Sequence, residues 1–300
     1  MNYIAMIFVS LLFSFGGVFV RYAGLMVNSY WISFFRFFIG LLFLLVFMLV
    51  TKKKMKLQFF LMPVVFGAVC KSINYLAENY GLSHGYSYGN IILWPVQSVV
   101  ALIFAIFIFK EKIGRKEILG CALCVAGIAV ISWNGRSMDM FLNDGLVSTL
   151  LFVAAGAGAA GFVIAQKMLL HKMTAENMNF SMFFISMMIT AVPLPLAGEI
   201  TGAFHVSSLI CLLIFGISTG AAFMLIAKAM RTMPLFLVVI IQSSTVLFSL
   251  CWAVLFFREP VTNYIIVGSV VFMIGMIVTN IKLPDKIVVK EIGEGVEIPS

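Results

Sequence analysis

Two stretches of the chain follow one pattern: FKEKIGRKEILGCALCVAGIAVI at Phe109–Ile131 and FREPVTNYIIVGSVVFMIGMIVT at Phe257–Thr279. When the first stretch is aligned with the second so that Phe109 matches Phe257, identical residues coincide at several positions without a gap. The matched pairs are Phe109 with Phe257, Glu111 with Glu259, Gly120 with Gly268, and Gly127 with Gly275. A repeat of this length in an apolar chain predicts two halves of similar structure.

The composition indicates a membrane protein. Hydrophobic residues make up 62% of the chain and charged residues 11%, whereas a soluble domain is about half apolar and about a quarter charged. A helix needs about 20 mostly apolar residues to span a bilayer. Ten such runs lie at about 3–20, 31–50, 58–80, 87–109, 115–133, 146–166, 179–198, 207–227, 235–257 and 261–281. The sequence therefore predicts an all-α membrane protein with ten transmembrane helices.

The basic residues are unevenly distributed along the chain. The net charge is +8, and the lysines and arginines concentrate in residues 52–56 and 110–116 and after the sixth, eighth and tenth runs. This alternation indicates a topology signal rather than nucleic-acid binding, and the positive-inside rule places both termini in the cytoplasm. We expect a multi-pass protein of the inner cell membrane, with the lipid bilayer as its surroundings and no nucleic-acid partner.

The number of spans between the two copies sets their relative orientation. Five predicted spans separate Glu111 from Glu259, and five is odd, so Glu111 is expected on the cytoplasmic side and Glu259 on the outer side. The sequence thus predicts two inverted five-helix repeats, at residues 1–135 and 136–281, followed by a disordered cytoplasmic tail at 282–300. Inverted repeats are typical of secondary transporters, which expose a midplane site to each side in turn. The alternative is a duplicated membrane scaffold or sensor that moves no solute.

Several motifs resemble those of one transporter family. The junctions FKEKI and FREPV, the segment SFGGVFVRY at Ser14–Tyr22, the segment FFRFFIGLLFLLVF at Phe34–Phe47, and Pro95 resemble the EamA type of the drug/metabolite transporter superfamily. The resemblance covers about residues 3–281. It implies two five-helix repeats and the export of amino acids or related small metabolites. An anionic or phosphorylated metabolite is the alternative solute.

The third predicted span carries a polar stripe. Lys71, Asn74, Tyr75 and Glu78 share one helical face, and charged residues inside a membrane are costly enough to suggest a function. We expect this face to bind the solute, and a contact between helices is the alternative. Seven residues of helix rise about 10.5 Å, so Lys71 and Glu78 are too far apart to hold the two charges of one amino-acid backbone. One of them would then meet a distal group.

Spans four and nine are predicted to form the other walls of the solute cavity. The candidate binding residues are Trp94, Gln97 and Ser98 in span four, and Gln242, Ser244 and Thr245 in span nine. The two groups occupy corresponding regions of the two repeats. Hydrogen bonds between helices are the alternative interpretation for these side chains.

Three further residues are interpreted as gate or structural residues. Glu111 and Glu259 follow spans four and nine and lie beside basic residues, so a local ion pair is the alternative to a gate. Arg36 is expected just inside the outer interface, within reach of lipid headgroups, an outer loop or the solute.

Two remaining motifs have structural interpretations. The C-x-x-C pair Cys121 and Cys124 lacks a second pair or a histidine to complete a metal site. GAGAAG at 156–161 lies in a predicted span, which favours close helix packing over dinucleotide binding. No phosphate-binding loop or hydrolytic cluster is found, so we predict no enzymatic activity and no cofactor. A small-molecule substrate is the expected partner, and both a monomer and a homodimer are compatible with the sequence.

Overall fold

The computed structural model describes residues 2–84, 93–133, 135, 137, 146–196, 204–257 and 262–280. Within these ranges all regular elements are α-helices and no strand occurs, which confirms the all-α prediction. The helices are α1 (Asn2–Ser14), α2 (Gly16–Ala23), α3 (Ser29–Val50), α4 (Met62–His84), α5 (Leu93–Phe107), α6 (Arg115–Trp133), α7 (Leu146–Leu169), α8 (Ala175–Ala191), α9 (Val206–Ala229), α10 (Leu235–Ser243), α11 (Thr245–Phe257) and α12 (Asn263–Asn280). Glu259 and the predicted tail at 282–300 lie outside the described residues.

Among the residues that the structure describes, five helices are long and apolar enough to cross a membrane. They are Tyr3–Ala23, Ser29–Val50, Leu150–Leu169, Val206–Ala229 and Leu235–Trp252, and Leu93–Phe107 and Asn263–Thr279 are apolar but shorter. Because α1 with α2 and α10 with α11 each form one interrupted helix, the described ranges contain ten helices. The presence of ten helices agrees with the sequence, whereas a full set of ten crossings stays a prediction.

The two interruptions have a common local cause. Each consists of a single residue, Phe15 or Ser244. At each one a serine hydroxyl bonds to a carbonyl three residues earlier, Ser14 Oγ to Leu11 O at 2.6 Å and Ser244 Oγ to Ile241 O at 2.7 Å. Serine hydroxyls that bind backbone carbonyls compete with regular helical bonding and bend helices.

The interrupted helices also bond to each other. Ser10 Oγ donates to Ile241 O at 2.9 Å, and Thr245 Oγ1 donates to Ser10 O at 3.2 Å. Farther along the pair, Trp252 Nε1 donates to Ser14 Oγ at 2.8 Å. These bonds hold the first predicted span against the ninth, and so connect the two halves of the chain beside both interruptions.

The seventh predicted span differs from the structure at both ends. The seventh span was expected at 179–198, but α8 begins at Ala175, after Thr174 accepts a hydrogen bond from Asn177 N at 3.3 Å as an N-terminal cap. The helix ends at Ala191, shortly before Pro193. Proline has no backbone N–H to donate to an earlier carbonyl, and its ring clashes with the preceding turn, which limits the helix at this end.

The repeated glycines bring α6 and α12 into close contact. A Cβ at Gly127 would lie 2.6 Å from Gly268 O, and a Cβ at Gly275 would lie 2.7 Å from Gly120 O. The earlier glycine of each copy therefore faces the later glycine of the other copy, so the helices run antiparallel. Cys124 Sγ lies 3.6 Å from Phe272 O. Phe272 follows Cys124 by 148 residues and is therefore its counterpart in the other repeat. We call Gly120, Gly127, Gly268 and Gly275 the glycine seam.

The GAGAAG glycines also pack against neighbouring helices. A Cβ at Gly156 would lie 2.6 Å from Leu93 O of α5, and one at Gly158 would lie 2.5 Å from Cys70 O of α4. Such close approaches require the smallest residues, and they confirm the packing interpretation of this motif. Cys121 and Cys124 are buried in α6, and the described part of the chain contains no group of three His, Cys, Asp or Glu side chains that could hold a metal.

Candidate functional site

A cavity lies between the two halves of the chain. It has an empty volume of about 560 Å³, part of which is open solvent. Helices α1 to α5 line it from one half, and α7 and α9 to α11 from the other. The predicted binding residues that line it are Lys71, Asn74, Tyr75, Glu78, Trp94, Gln97, Gln242 and Thr245.

Lys71 is a buried cation in an aromatic environment. Its side chain donates to Asn74 Oδ1 at 2.6 Å, and Asn74 Nδ2 in turn donates to Ala155 O of α7 at 2.9 Å. The ammonium nitrogen lies 4.0 Å from the Tyr75 ring centroid and 4.3 Å from that of Phe223. Aromatic faces attract cations most strongly where water is excluded. Asn74 therefore fixes the direction of Lys71 and ties it to the second half of the chain.

Arg36, expected just inside the outer interface, is buried within the helix bundle. Its residue exposure is 3%, and it lines the cavity. The guanidinium carbon lies 3.5 Å from the Tyr75 ring centroid and 3.7 Å from that of Phe215, and Nε donates to Thr219 Oγ1 at 3.5 Å. A planar, weakly hydrated guanidinium can be buried by stacking on rings, which explains why this charge lies inside the bundle.

Arg36 also lies beside Glu78. The distance from Arg36 Nη1 to Glu78 Oε2 is 4.0 Å, too long for a direct hydrogen bond. Nη1 is buried and has no hydrogen-bond partner among the residues that the structure describes. The cavity thus places a cation with donor capacity and a carboxylate at a separation of a few ångströms. Together with Lys71, these groups surround Tyr75.

The walls from α5 and α10 combine solute-facing and interhelical side chains. Gln97 Nε2 donates to Gln242 Oε1 at 3.5 Å, and both residues line the cavity. Ser98 and Ser243 share a hydrogen bond of 3.0 Å between the helices, whereas Ser244 bonds within its own turn. Ser98 and Ser244 are therefore not among the lining residues, and the interhelical alternative describes Ser98.

Glu111 connects three helices at one end of the bundle. Its Oε1 accepts from Leu235 N at 2.8 Å, at the start of α10, and lies 3.3 Å from Lys167 Nζ near the end of α7. The carboxylate satisfies a backbone donor that a helix start leaves without an intrahelical partner. It also complements the positive end of the helix dipole.

Other charged groups join helices at the same end. Lys228 Nζ lies 3.2 Å from Glu176 Oε1, connecting α9 to α8, and Arg231 Nη2 donates to Met173 O at 3.1 Å. We call this end, with Glu111, Lys167, Glu176 and Lys228, the basic end. It matches the side that the charge distribution assigns to the cytoplasm. The counterpart of Glu111, Glu259, lies outside the described ranges, so its predicted role at the other end stays a prediction.

Several lining residues were not identified from the sequence. Phe13, Gly17, Ala159, Val163, Phe223 and Ser249 all border the cavity. The chain contains 30 phenylalanines and 24 glycines, so residue type alone does not distinguish those at the cavity. Gly17 is a special case, since a Cβ built there would meet nothing within 4 Å. The cavity is open beside it.

Comparisons with known proteins agree with this architecture. The EamA-like transporter family model, which is part of the drug/metabolite transporter superfamily, matches residues 1–133 and 146–281. Among solved structures, 28 chains match, and one described as "Crystal structure of protein" superposes with a TM-score of 0.78 at 15% identity, over 93% of this chain and 97% of that chain. At this identity the likeness shows the fold alone. A search of curated proteins finds no match. The family matches cover most of the chain, which therefore belongs to the EamA-like transporter family and is a multi-pass membrane transporter of small molecules.

Proposed function

We propose that this chain is a secondary transporter that exports amino acids or related small metabolites across the inner membrane by alternating access. The observation that carries the proposal is the cavity between the halves, where Arg36 and Lys71 from different helices approach one aromatic ring beside the carboxylate of Glu78. Charged groups buried inside a membrane bundle usually mark a solute or ion pathway.

The recognition chemistry suits an amino-acid backbone. An α-carboxylate can accept a hydrogen bond from Arg36 Nη1, and the adjacent ammonium can donate to Glu78, because these two groups are 4.0 Å apart. Charge-assisted hydrogen bonds of this kind are about twice as strong as neutral ones. Lys71 lies about 10.5 Å along the helix axis from Glu78, which is too far for these two residues to hold the two charges of one solute backbone. Arg36 supplies the cation that is close enough to Glu78.

Two observations support inverted repeats as the basis of alternating access. The family model matches two successive stretches of the chain, and the glycine seam pairs each copy with the other in antiparallel orientation. Exchanging the two copies reproduces the same glycine pairs, as expected for helices related by a two-fold axis in the membrane plane. Rocking of the halves about the cavity would then expose it to either side with similar energies.

The proposal is tested by solute flux in proteoliposomes. The purified protein, reconstituted with a panel of radiolabelled amino acids, organic acids and phosphorylated metabolites, is expected to move at least one amino acid faster than protein-free vesicles. Excess unlabelled amino acid should compete with that flux. Absence of flux for the whole panel would support the scaffold or sensor alternative, and flux restricted to phosphorylated metabolites would support the other solute class.

The basic end is proposed as the cytoplasmic gate, which gives a prediction for Glu111. Glu111→Gln keeps an acceptor for Leu235 N but removes the charge that attracts Lys167. Hydrogen bonds to charged groups contribute about 1.5–3 kcal/mol, and the lower value corresponds to about a tenfold change in an opening equilibrium. We expect amide hydrogen exchange at the start of α10 to become about tenfold faster. Mass spectrometry of peptides that contain Leu235 measures this rate.

A matched control for the gate is Glu117→Gln. Glu117 lies in the first turn of α6 and is also partly buried, so the change removes a carboxylate charge of the same kind without touching Leu235 or Lys167. In Glu117→Gln, the rate of amide hydrogen exchange at the start of α10 should equal that of the wild type. If Glu111→Gln behaved like this control, Glu111 would not hold the gate closed.

A further inference from the structure

Lys71 makes no direct ion pair in the described part of the protein. Its ammonium contacts the Asn74 amide oxygen and the rings of Tyr75 and Phe223, and no described carboxylate lies within 4.0 Å of it. An ammonium has three donors, and Asn74 accepts one. Burying a charge without a directly contacting opposite charge is costly, and Lys71, at 4% exposure, lines the cavity. A bound solute is therefore in position to supply an anion in direct contact with Lys71.

The formal charge of the cavity sets the charge of that solute. Arg36 and Lys71 are the cationic residues among the described lining residues, and Glu78 is the anionic one, so the lining carries a formal charge of +1. A zwitterionic amino acid with a neutral side chain would use Arg36 and Glu78 and leave Lys71 without an anion. A solute with one further negative charge would neutralise the cavity.

The three charges are also arranged in an order along the cavity. Glu78 lies beside Arg36, and Lys71 lies seven residues before Glu78 in α4, about 10.5 Å away along the helix axis. Both cations approach the same ring, at 3.5 and 4.0 Å from its centroid. A solute with an ammonium and a carboxylate at one end and a second carboxylate two or three carbons away has the matching order of charges.

We infer that the transported solute is an amino dicarboxylate. Glu78 receives the α-ammonium, Arg36 the α-carboxylate, and Lys71 the distal carboxylate. This inference rests on the proposed transport function and names the substrate class of the same site. Lys71 is then the residue that distinguishes acidic solutes from their neutral amides, since an amide carries no charge to pair with the buried ammonium.

The test compares solutes that differ in a single group. Wild-type proteoliposomes are assayed with radiolabelled aspartate, glutamate, asparagine, glutamine, leucine and succinate. We expect aspartate or glutamate to move at least tenfold faster than its own amide, and faster than succinate, which lacks the ammonium group. In Lys71→Gln, the ratio of acid to amide transport should fall towards one.

Each other outcome overturns the inference in a distinguishable way. Equal transport of acids and amides by the wild type, or an unchanged ratio in Lys71→Gln, would remove Lys71 from substrate selection while leaving amino-acid transport in place. Succinate transport equal to that of aspartate would show that the ammonium is not recognised. Absence of flux for every solute in the broader metabolite panel would overturn the proposed transport function, and this inference with it.

Discussion

Replacement of Arg36 by glutamine is expected to reduce solute flux about thirtyfold or more. The change removes the guanidinium that stacks on Tyr75 and Phe215 and leaves Glu78 without the cation 4.0 Å away. Truncating one partner of a buried charge pair costs about 2–5 kcal/mol, and each 1.4 kcal/mol is about a factor of ten. Initial rates of radiolabelled solute uptake into proteoliposomes measure the loss.

A second pair of variants separates binding from folding. Arg36→Gln alone is also expected to destabilise the protein, because Glu78 loses the buried cation 4.0 Å from its carboxylate. The double replacement Arg36→Gln with Glu78→Gln removes both charges, so we expect its thermal unfolding temperature to return towards that of the wild type while flux stays low. Recovery of flux in the double variant would assign Arg36 a structural role only.

The control for Arg36 is the exposed Arg21 of α2. Arg21→Gln removes the same charge from the surface of the bundle, and its flux should stay within about twofold of the wild type, since exposed substitutions usually change stability by no more than about 0.5 kcal/mol.

Arg36→Lys gives an intermediate test. It keeps the charge but loses the planar group that stacks on two rings, so flux should remain well below that of the wild type.

Gly127→Ala is expected to cause the largest loss of stability among alanine replacements of the glycines that the structure describes. The new Cβ would lie 2.5 Å from Phe272 N and 2.6 Å from Gly268 O. Both obstacles are backbone atoms, so α6 and α12 must separate rather than rearrange a side chain. Overpacking costs about 1–3 kcal/mol and occasionally more, and we expect the melting temperature of the detergent-solubilised protein to fall by several degrees.

Gly17→Ala is the matched control for the glycine seam. It adds the same methyl group to a helix of the same bundle, but nothing lies within 4 Å of the added atom. Its melting temperature should stay close to that of the wild type. Equal melting temperatures for Gly127→Ala and the wild type would mean that the two helices are not held together as closely as the seam requires.

Local periodicity explains which parts of the site the sequence predicts. Lys71, Asn74, Tyr75 and Glu78 share a face because of helical spacing alone, and all four line the cavity. The spacing of the glycines likewise places them on one face of each helix. Such predictions depend on a single helix, and the helical state of an apolar run of this length follows from the need to satisfy its backbone in lipid.

Features that depend on two helices could not be predicted in this way. Arg36 lines the cavity because of how α3 is rotated against α4 and α9, which its own sequence does not specify. The acceptor for Leu235 N is a carboxylate 124 residues earlier in the chain. The interruption at Ser244 depends on a hydroxyl rotamer rather than on a proline. In a chain with 62% hydrophobic residues, the identity of the apolar wall residues carries little information about which helix they face.

The glycine seam has a consequence for how the protein is made. Cys124 and Phe272, which meet at its centre, are 148 residues apart. At a synthesis rate of about 5–20 residues per second, the ribosome needs roughly 7–30 s to produce the second after the first. During that interval the small-residue face of α6 has no helix packed against it, and α12 covers this face only after it has been synthesised. A nascent chain that stops before α12 would leave the small-residue face of α6 exposed. Cellular quality control could recognise an unfinished transporter by this exposed face.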